Sequence, residues 1–182
     1  GVKHISGDGN VTCAHMNSDT VKCWGQNWYN ELGNNTPADY SAMPIDVLDV
    51  KDVAQLSTGA DQSCVLLKAG TVKCWGYDAY GGLGNGEYDN RGLTAVDVKN
   101  LDHVTQVTVG GFFACALLES GQVKCWGRNN FAQITPNDEH NHALPMLVAG
   151  VEGVVQVESF SYTTCAVLKT GKVTCWGDGN YG

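Results

Sequence analysis

One short stretch, Val-x-Cys-Trp-Gly, is written four times along this chain and constrains it more than any other feature. It occurs at Val21–Gly25, Val72–Gly76, Val123–Gly127 and Val173–Gly177, and its tryptophans lie 51, 51 and 50 residues apart. A fixed period of this size, with one Trp-Gly signature per unit, marks a stacked or radial repeat in which each unit buries itself against its neighbours.

The eight cysteines follow the same period as four pairs, Cys13/Cys23, Cys64/Cys74, Cys115/Cys125 and Cys165/Cys175. Zinc sites want two close-set pairs converging on one ion, and that spacing is absent. A hairpin explains the pairs instead. If Cys64 faces Cys74, then Leu66 faces Val72, Leu67 faces Thr71, and Lys68-Ala69-Gly70 is a three-residue loop. Such loops want a left-handed residue in third place, where Gly70, Gly121 and Gly171 stand, with Asp19 in the first unit. Opposed strand residues are close enough for a disulfide. Four hairpin disulfides are therefore expected, which points to an oxidising compartment or the cell exterior.

Each unit opens with a β-branched run (Val2 to Ser6, Val53 to Ser57, Val104 to Val109, Val154 to Val157) and a glycine-rich turn, and the cysteine hairpin follows. Within that hairpin Cys64, Leu66, Val72 and Cys74 share one face while Val65, Leu67 and Trp75 share the other. A hairpin apolar on both faces must be covered on both, so it belongs between neighbouring sheets. After Trp-Gly comes a polar turn that ends in an aromatic: Tyr29, Tyr80, Phe131 and Tyr181. A variable loop then leads to a fourth apolar run at Pro44 to Val50, Leu93 to Val98 and Pro145 to Val148. Four strands per period is one propeller blade.

The motifs Gly-x-Val-Lys-Cys-Trp-Gly and x-x-Gly-x-Leu-Gly, recurring in register over the whole chain, resemble the regulator of chromosome condensation repeat. The third unit departs from that pattern at Phe131-Ala132-Gln133-Ile134-Thr135. The resemblance implies an all-β fold of four-stranded antiparallel β-propeller blades, usually seven to a ring. It also implies protein–protein recognition as the usual role, and the paired cysteines suggest a secreted, bacterial variant. The expected organisation is a single propeller segment over residues 1–182, with repeats 1–51, 52–102, 103–152 and a truncated 153–182, about three and a half blades. The first residues show neither Met nor a signal peptide, so the chain reads as a mature or excised segment. Three completions of the ring stay open: the remainder of a longer chain, a second copy, or another capping partner.

Across a repeat, registers that agree are scaffold, and registers that differ are where binding is written. The Trp24 and Tyr29 series agree. Just before the first cysteine of each pair the units differ, with Asn10, Asp61, Phe112-Phe113 and Tyr162, and with Phe160 nearby. These aromatics are either surface binding anchors or packing between blades. Trp28, whose register holds Ala79, Asn130 and Asn180, and Tyr77 are further candidates. His140-x-His142 and the Asp-Gly-Asn segments at Asp8 and Asp178 lack the remaining ligands of a metal site, so no metal or cofactor is expected.

The net charge of −8 divides by repeat as −3, −3, −2 and 0, with no concentrated basic face, so a nucleic-acid partner is not expected. No apolar run is long enough to span a membrane. Motifs for hydrolases, phosphate loops and zinc proteases are absent, and the cysteines are committed to pairing, so the chain is not expected to be an enzyme. The sequence thus points to a non-catalytic extracellular binding or adhesion module whose partner is a protein or cell-surface ligand. The alternatives are a fibre subunit assembling through open blade edges and a proteinaceous enzyme inhibitor.

Overall fold

The computed structural model describes residues 1–88, 92–135 and 138–179, and the described residues form strands and turns without a helix. The first sheet is β1 (Val2–Asp8), β2 (Val11–Met16), β3 (Val21–Gln26) and β4 (Tyr40–Asp46). The second is β5 (Val53–Thr58), β6 (Gln62–Leu67), β7 (Val72–Gly76) and β8 (Gly92–Asp97). The third is β9 (Val104–Val109), β10 (Phe113–Leu118), β11 (Val123–Gly127) and β12 (His142–Leu147). The fourth has three strands, β13 (Val154–Phe160), β14 (Thr163–Leu168) and β15 (Val173–Gly177). Every sheet is an antiparallel meander in sequence order, so the architecture is that of all-β propeller blades.

The cysteine hairpin folds in the expected register. Cys64 pairs with Cys74 and Leu66 with Val72, and Leu67 N–H donates to the Thr71 carbonyl at 2.9 Å. Gly70, Gly121 and Gly171 have φ of 78°, 81° and 80°, and Asp19 has 58°. Counting back from the bonded Leu67/Thr71 pair puts the cysteines at a narrow, non-hydrogen-bonded pair. The disulfides are Cys13–Cys23, Cys64–Cys74, Cys115–Cys125 and Cys165–Cys175, and in all four the Cα atoms are 4.0–4.1 Å apart.

The outer strand differs from the expectation, starting at Tyr40, Gly92 and His142 and ending at Asp46, Asp97 and Leu147. Its pairing is also irregular. Cys23 lies opposite Ile45, Cys74 opposite Val96 and Cys125 opposite Met146, and the register shifts between each of these cysteines and the glycine two residues on. The valines that follow the outer strand turn into the core: Val47, Val50, Val98 and Val148 are buried in the clusters between sheets, and Val47, Val98 and Val148 still donate their N–H groups to the Val21, Val72 and Val123 carbonyls at 2.9–3.0 Å. Each of these three valines thus buries an apolar side chain while keeping one backbone bond to the adjacent strand.

Successive sheets touch through their first strands, β1 with β5, β5 with β9 and β9 with β13. Polar side chains stitch these inner edges, satisfying N–H groups that would otherwise be unpaired. Thr58 N donates to Ser6 Oγ at 3.1 Å, Val107 N to Gln55 Oε1 at 2.9 Å, Val109 N to Ser57 Oγ at 3.1 Å, and Ser159 N to Thr108 Oγ1 at 2.8 Å.

The repeated tryptophan joins each sheet to the one before it. Trp75 Nε1 donates to the Glu31 carbonyl at 2.9 Å, Trp126 to that of Gly82 at 2.9 Å, and Trp176 to that of Gln133 at 2.7 Å. The glycine of Leu-Gly makes room for it. A Cβ on Gly33 would lie 2.9 Å from Trp75 Cδ1, and one on Gly84 would lie 2.9 Å from Trp126 Nε1. Both glycines also sit at positive φ, 59° and 68°. The third unit has Thr135 in this register, and Trp176, which bonds the Gln133 carbonyl of that unit, is only half-buried whereas Trp75 and Trp126 are fully buried.

The end sheets leave apolar side chains in solvent, Val2 and Ile5 at one end and Val155, Phe160 and Val173 at the other. The cysteines follow the same gradient. Cys13, Cys23, Cys64, Cys74, Cys115 and Cys125 are fully buried, but Cys165 is half-buried and Cys175 exposed, because they lie on the uncovered side of the last sheet.

Candidate functional site

One end of the blades carries a continuous surface built from three registers. The glycine of Trp-Gly creates the first. Gly25, Gly76, Gly127 and Gly177 have φ between 101° and 112°, and a Cβ there would lie 2.2–2.6 Å from the carbonyl oxygen of Asn10, Asp61, Phe112 or Tyr162. Only glycine allows that approach, and it lets the next residue turn out of the strand. Those next residues are Gln26, Tyr77, Arg128 and Asp178. Each donates its N–H to the same facing carbonyl, at 2.9–3.0 Å.

The facing residues, Asn10, Asp61, Phe112 and Tyr162, are the second register. Tyr29, Tyr80 and Phe131 form the third; Tyr181 lies outside the described residues. The third register is set by turns capped from within: Leu32 N, Leu83 N and Ile134 N donate to Asn27, Asp78 and Asn129 side-chain oxygens at 3.0, 2.9 and 2.8 Å.

These registers bring the aromatics into one ladder across the sheets. Ring centroids are 4.5 Å apart for Tyr29–Tyr77, 5.6 Å for Tyr77–Phe112, 5.6 Å for Tyr80–Phe112 and 5.1 Å for Phe131–Tyr162. Arg128 bridges the two halves. Its guanidinium carbon is 5.1 Å from the Tyr80 centroid, 5.3 Å from Tyr162, 5.8 Å from Phe131 and 5.9 Å from Phe112. Such distances are within cation–π range. Its Nε is buried and finds no acceptor among the described residues.

Phe112 holds φ of 68°, a left-handed conformation that is costly for a bulky side chain and that recurs at functional positions.

The other end of the surface is acidic. Burial, then the charges of Glu31 and Asp8, push the Asp61 carboxyl above its ordinary range. Glu31 is itself buried, accepting from Gln26 Nε2 at 3.0 Å and from Tyr29 N at 2.7 Å. Burial is also the main cause that raises the Tyr77 hydroxyl, with Tyr80, Tyr29 and Asp61 adding to it and Arg128 opposing.

Of the residues singled out from sequence, Tyr77, Phe112 and Tyr162 meet in the ladder. Phe160 is 77 % exposed and stands beside it, lining a small cavity of about 220 Å³ with Asp8, Ala60, Phe112 and Tyr162. Trp28 lies apart, 62 % exposed over a polar cavity of about 470 Å³ that includes Asn35, Thr36 and Asp39. Phe113 is a correction. It is fully buried in the core between the third and fourth sheets, because alternation along β10 turns it inward when Phe112 faces out. The paired cysteines are scaffold and not part of this surface: Cys13 and Cys23 sit in the core between the first two sheets, Cys64 and Cys74 in the next, and Cys115 and Cys125 beside Phe113.

Sequence reasoning missed Arg128 and set aside the Tyr29 series as scaffold. The signal was present in the register after Trp-Gly, which holds Gln, Tyr, Arg and Asp in turn. Among the described residues no group of three or more potential ligands is placed to hold a metal ion, and His140 and His142 instead pair with Asp138.

A family model, the regulator of chromosome condensation (RCC1) repeat, matches residues 53–81, 104–133 and 154–182. The chain is built of RCC1-type propeller repeats. These RCC1-type blades are 28 % identical over 153 residues to the ultraviolet-B receptor UVR8 of Arabidopsis thaliana, covering 82 % of this chain and 34 % of that protein. They are 34 % identical over 110 residues to the probable E3 ubiquitin-protein ligase HERC4 of Rattus norvegicus, covering 58 % of this chain and 10 % of that one. The chain thus spans about a third or less of these relatives' length.

Among solved structures, yeast RCC1 (Prp20) bound to Kap60 superposes with a TM-score of 0.86 at 17 % identity, over 98 % of this chain and 44 % of that one. Human WBSCR16 gives 0.87 at 23 % identity, over 98 % and 47 %. These likenesses show the fold. RCC1-like repeats generally mediate protein interactions, and propellers of this type are typically non-enzymatic binding modules.

Proposed function

We propose that residues 1–182 form one segment of a non-catalytic, extracellular propeller that binds a protein or cell-surface ligand through the aromatic ladder. The observation that carries this reading is the gathering of Tyr29, Tyr77, Tyr80, Phe112, Phe131 and Tyr162 on one face around Arg128. Aromatics and arginine are the residue types that dominate binding hot spots, and rigid rings lose little entropy when they dock. The strained Phe112 supports the same reading. Four disulfides support an oxidising compartment.

The test compares the labelled chain with its Tyr77→Ser/Phe112→Ser variant on intact cells of the organism that makes it. Saturable binding by the parent chain that the variant loses, with its melting temperature kept, is the expected result. Equal binding by both would place recognition elsewhere.

A further inference from the structure

Resting on that reading of the ladder, we propose that its partner is a protein that docks through a carboxylate side chain set among apolar residues, with the carboxylate seated on Arg128. Four rings hold the Arg128 guanidinium at 5.1–5.9 Å, and its buried Nε has no acceptor among the described residues. No carboxylate among those residues forms an ion pair with it, although the chain carries 19 Asp and Glu against 11 Lys and Arg. The ion pairs that Lys or Arg make among the described residues are made by lysines, to Asp19, Asp46 or Asp97.

An arginine fixed by ring faces has already lost much of its rotamer freedom, so a planar carboxylate can engage its fork at low entropic cost. Partial desolvation by the rings strengthens such a pair. Nearby, Phe112, Phe131 and Tyr162 are positioned to cover the apolar neighbours of that carboxylate.

The acidic end narrows the class of partner. Asp61 and the buried Glu31 lie on the Tyr77 and Tyr29 side of the surface, Asp8 lines the small cavity beside Phe112 and Tyr162, and Asp61 is already made harder to ionise by burial and by those two charges. A polyanion such as nucleic acid would gain one cation and meet three acids, which disfavours it. A protein surface can instead carry its acid over Arg128 and a lysine or arginine towards Asp61, matching both ends.

The experiment selects a phage-displayed dodecapeptide library against the immobilised 182-residue chain and measures the affinity of the enriched peptides as free synthetic peptides. The expected result is a shared Asp or Glu flanked by apolar residues, with affinity reduced about 30-fold or more by Arg128→Gln and partly restored by Arg128→Lys. Circular dichroism melting of both variants verifies the fold. Peptides without an acid, or an acid motif whose affinity Arg128→Gln leaves unchanged, would overturn the carboxylate. If Phe112→Ser abolishes binding in that case, the ladder still stands as the binding surface. If neither substitution matters, the ladder reading fails as well. Concentration-dependent dimerisation of the free chain that Arg128→Gln abolishes would replace the outside partner by a second copy.

Discussion

Replacing Trp75 and Trp24 by phenylalanine, one at a time, tests whether the repeated tryptophan acts as a joint between sheets. Trp75 is fully buried and donates to the Glu31 carbonyl at 2.9 Å. Trp75→Phe leaves that buried acceptor without its donor, a loss of about 1–1.5 kcal/mol. It also removes roughly 40 Å² of buried ring, worth about 1 kcal/mol more. Together these give a destabilisation of roughly 2–3 kcal/mol. Trp24 occupies the same register, but it is half-buried and no hydrogen bond from its Nε1 is found among the described residues. Trp24→Phe should therefore cost less than about 1 kcal/mol. Urea unfolding followed by far-ultraviolet circular dichroism, without reductant, reads the difference. With a slope of about 2 kcal/mol/M, the midpoint should fall by about 1–1.5 M for Trp75→Phe and by under about 0.5 M for Trp24→Phe. Equal shifts at unchanged slope would refute the joint and make the motif a device internal to each blade.

Brief treatment of the native chain with dithiothreitol, followed by alkylation and peptide mass mapping, should label Cys165 and Cys175 first, because the Cys13–Cys23, Cys64–Cys74 and Cys115–Cys125 pairs are fully buried. Uniform labelling of all four pairs would contradict the burial. The first joint should be acid-sensitive in two steps. Burial, aided by Lys3, holds the His15 imidazole below its ordinary 6.5 against the pull of Asp19, so its contribution is lost as pH falls below that value. Hydrogen bonds from Lys3 and Lys68 hold the Asp19 carboxyl below 3.8, so a second loss follows further down. Melting temperature against pH should lose the upper step in His15→Gln and the lower one in Asp19→Asn; a profile that neither variant changes would show that acid acts elsewhere.

Periodicity made much of the fold legible. Four copies of one motif demand four copies of one unit, and cysteines ten residues apart around a left-handed loop residue leave little besides a stapled hairpin. Phe113 shows where this legibility stops, since adjacent aromatics in a turn look alike until a strand register assigns one to each face. The outer strands show the same limit, because Val47 and Val98 continue an apolar run in sequence, yet the strands end at Asp46 and Asp97 and these valines turn in to fill the space between blades.

By itself, then, the sequence determined the repeat and the disulfide hairpins, which are written in residues close together in the chain. Tertiary structure decided the site. Tyr29, Tyr77 and Arg128 come from three different blades, and only the packing of blades through Trp75 and Trp126 brings their side chains onto one surface. A ring surrounded by other rings and a cation is a binding anchor, whereas the same ring read alone in its own repeat is scaffold.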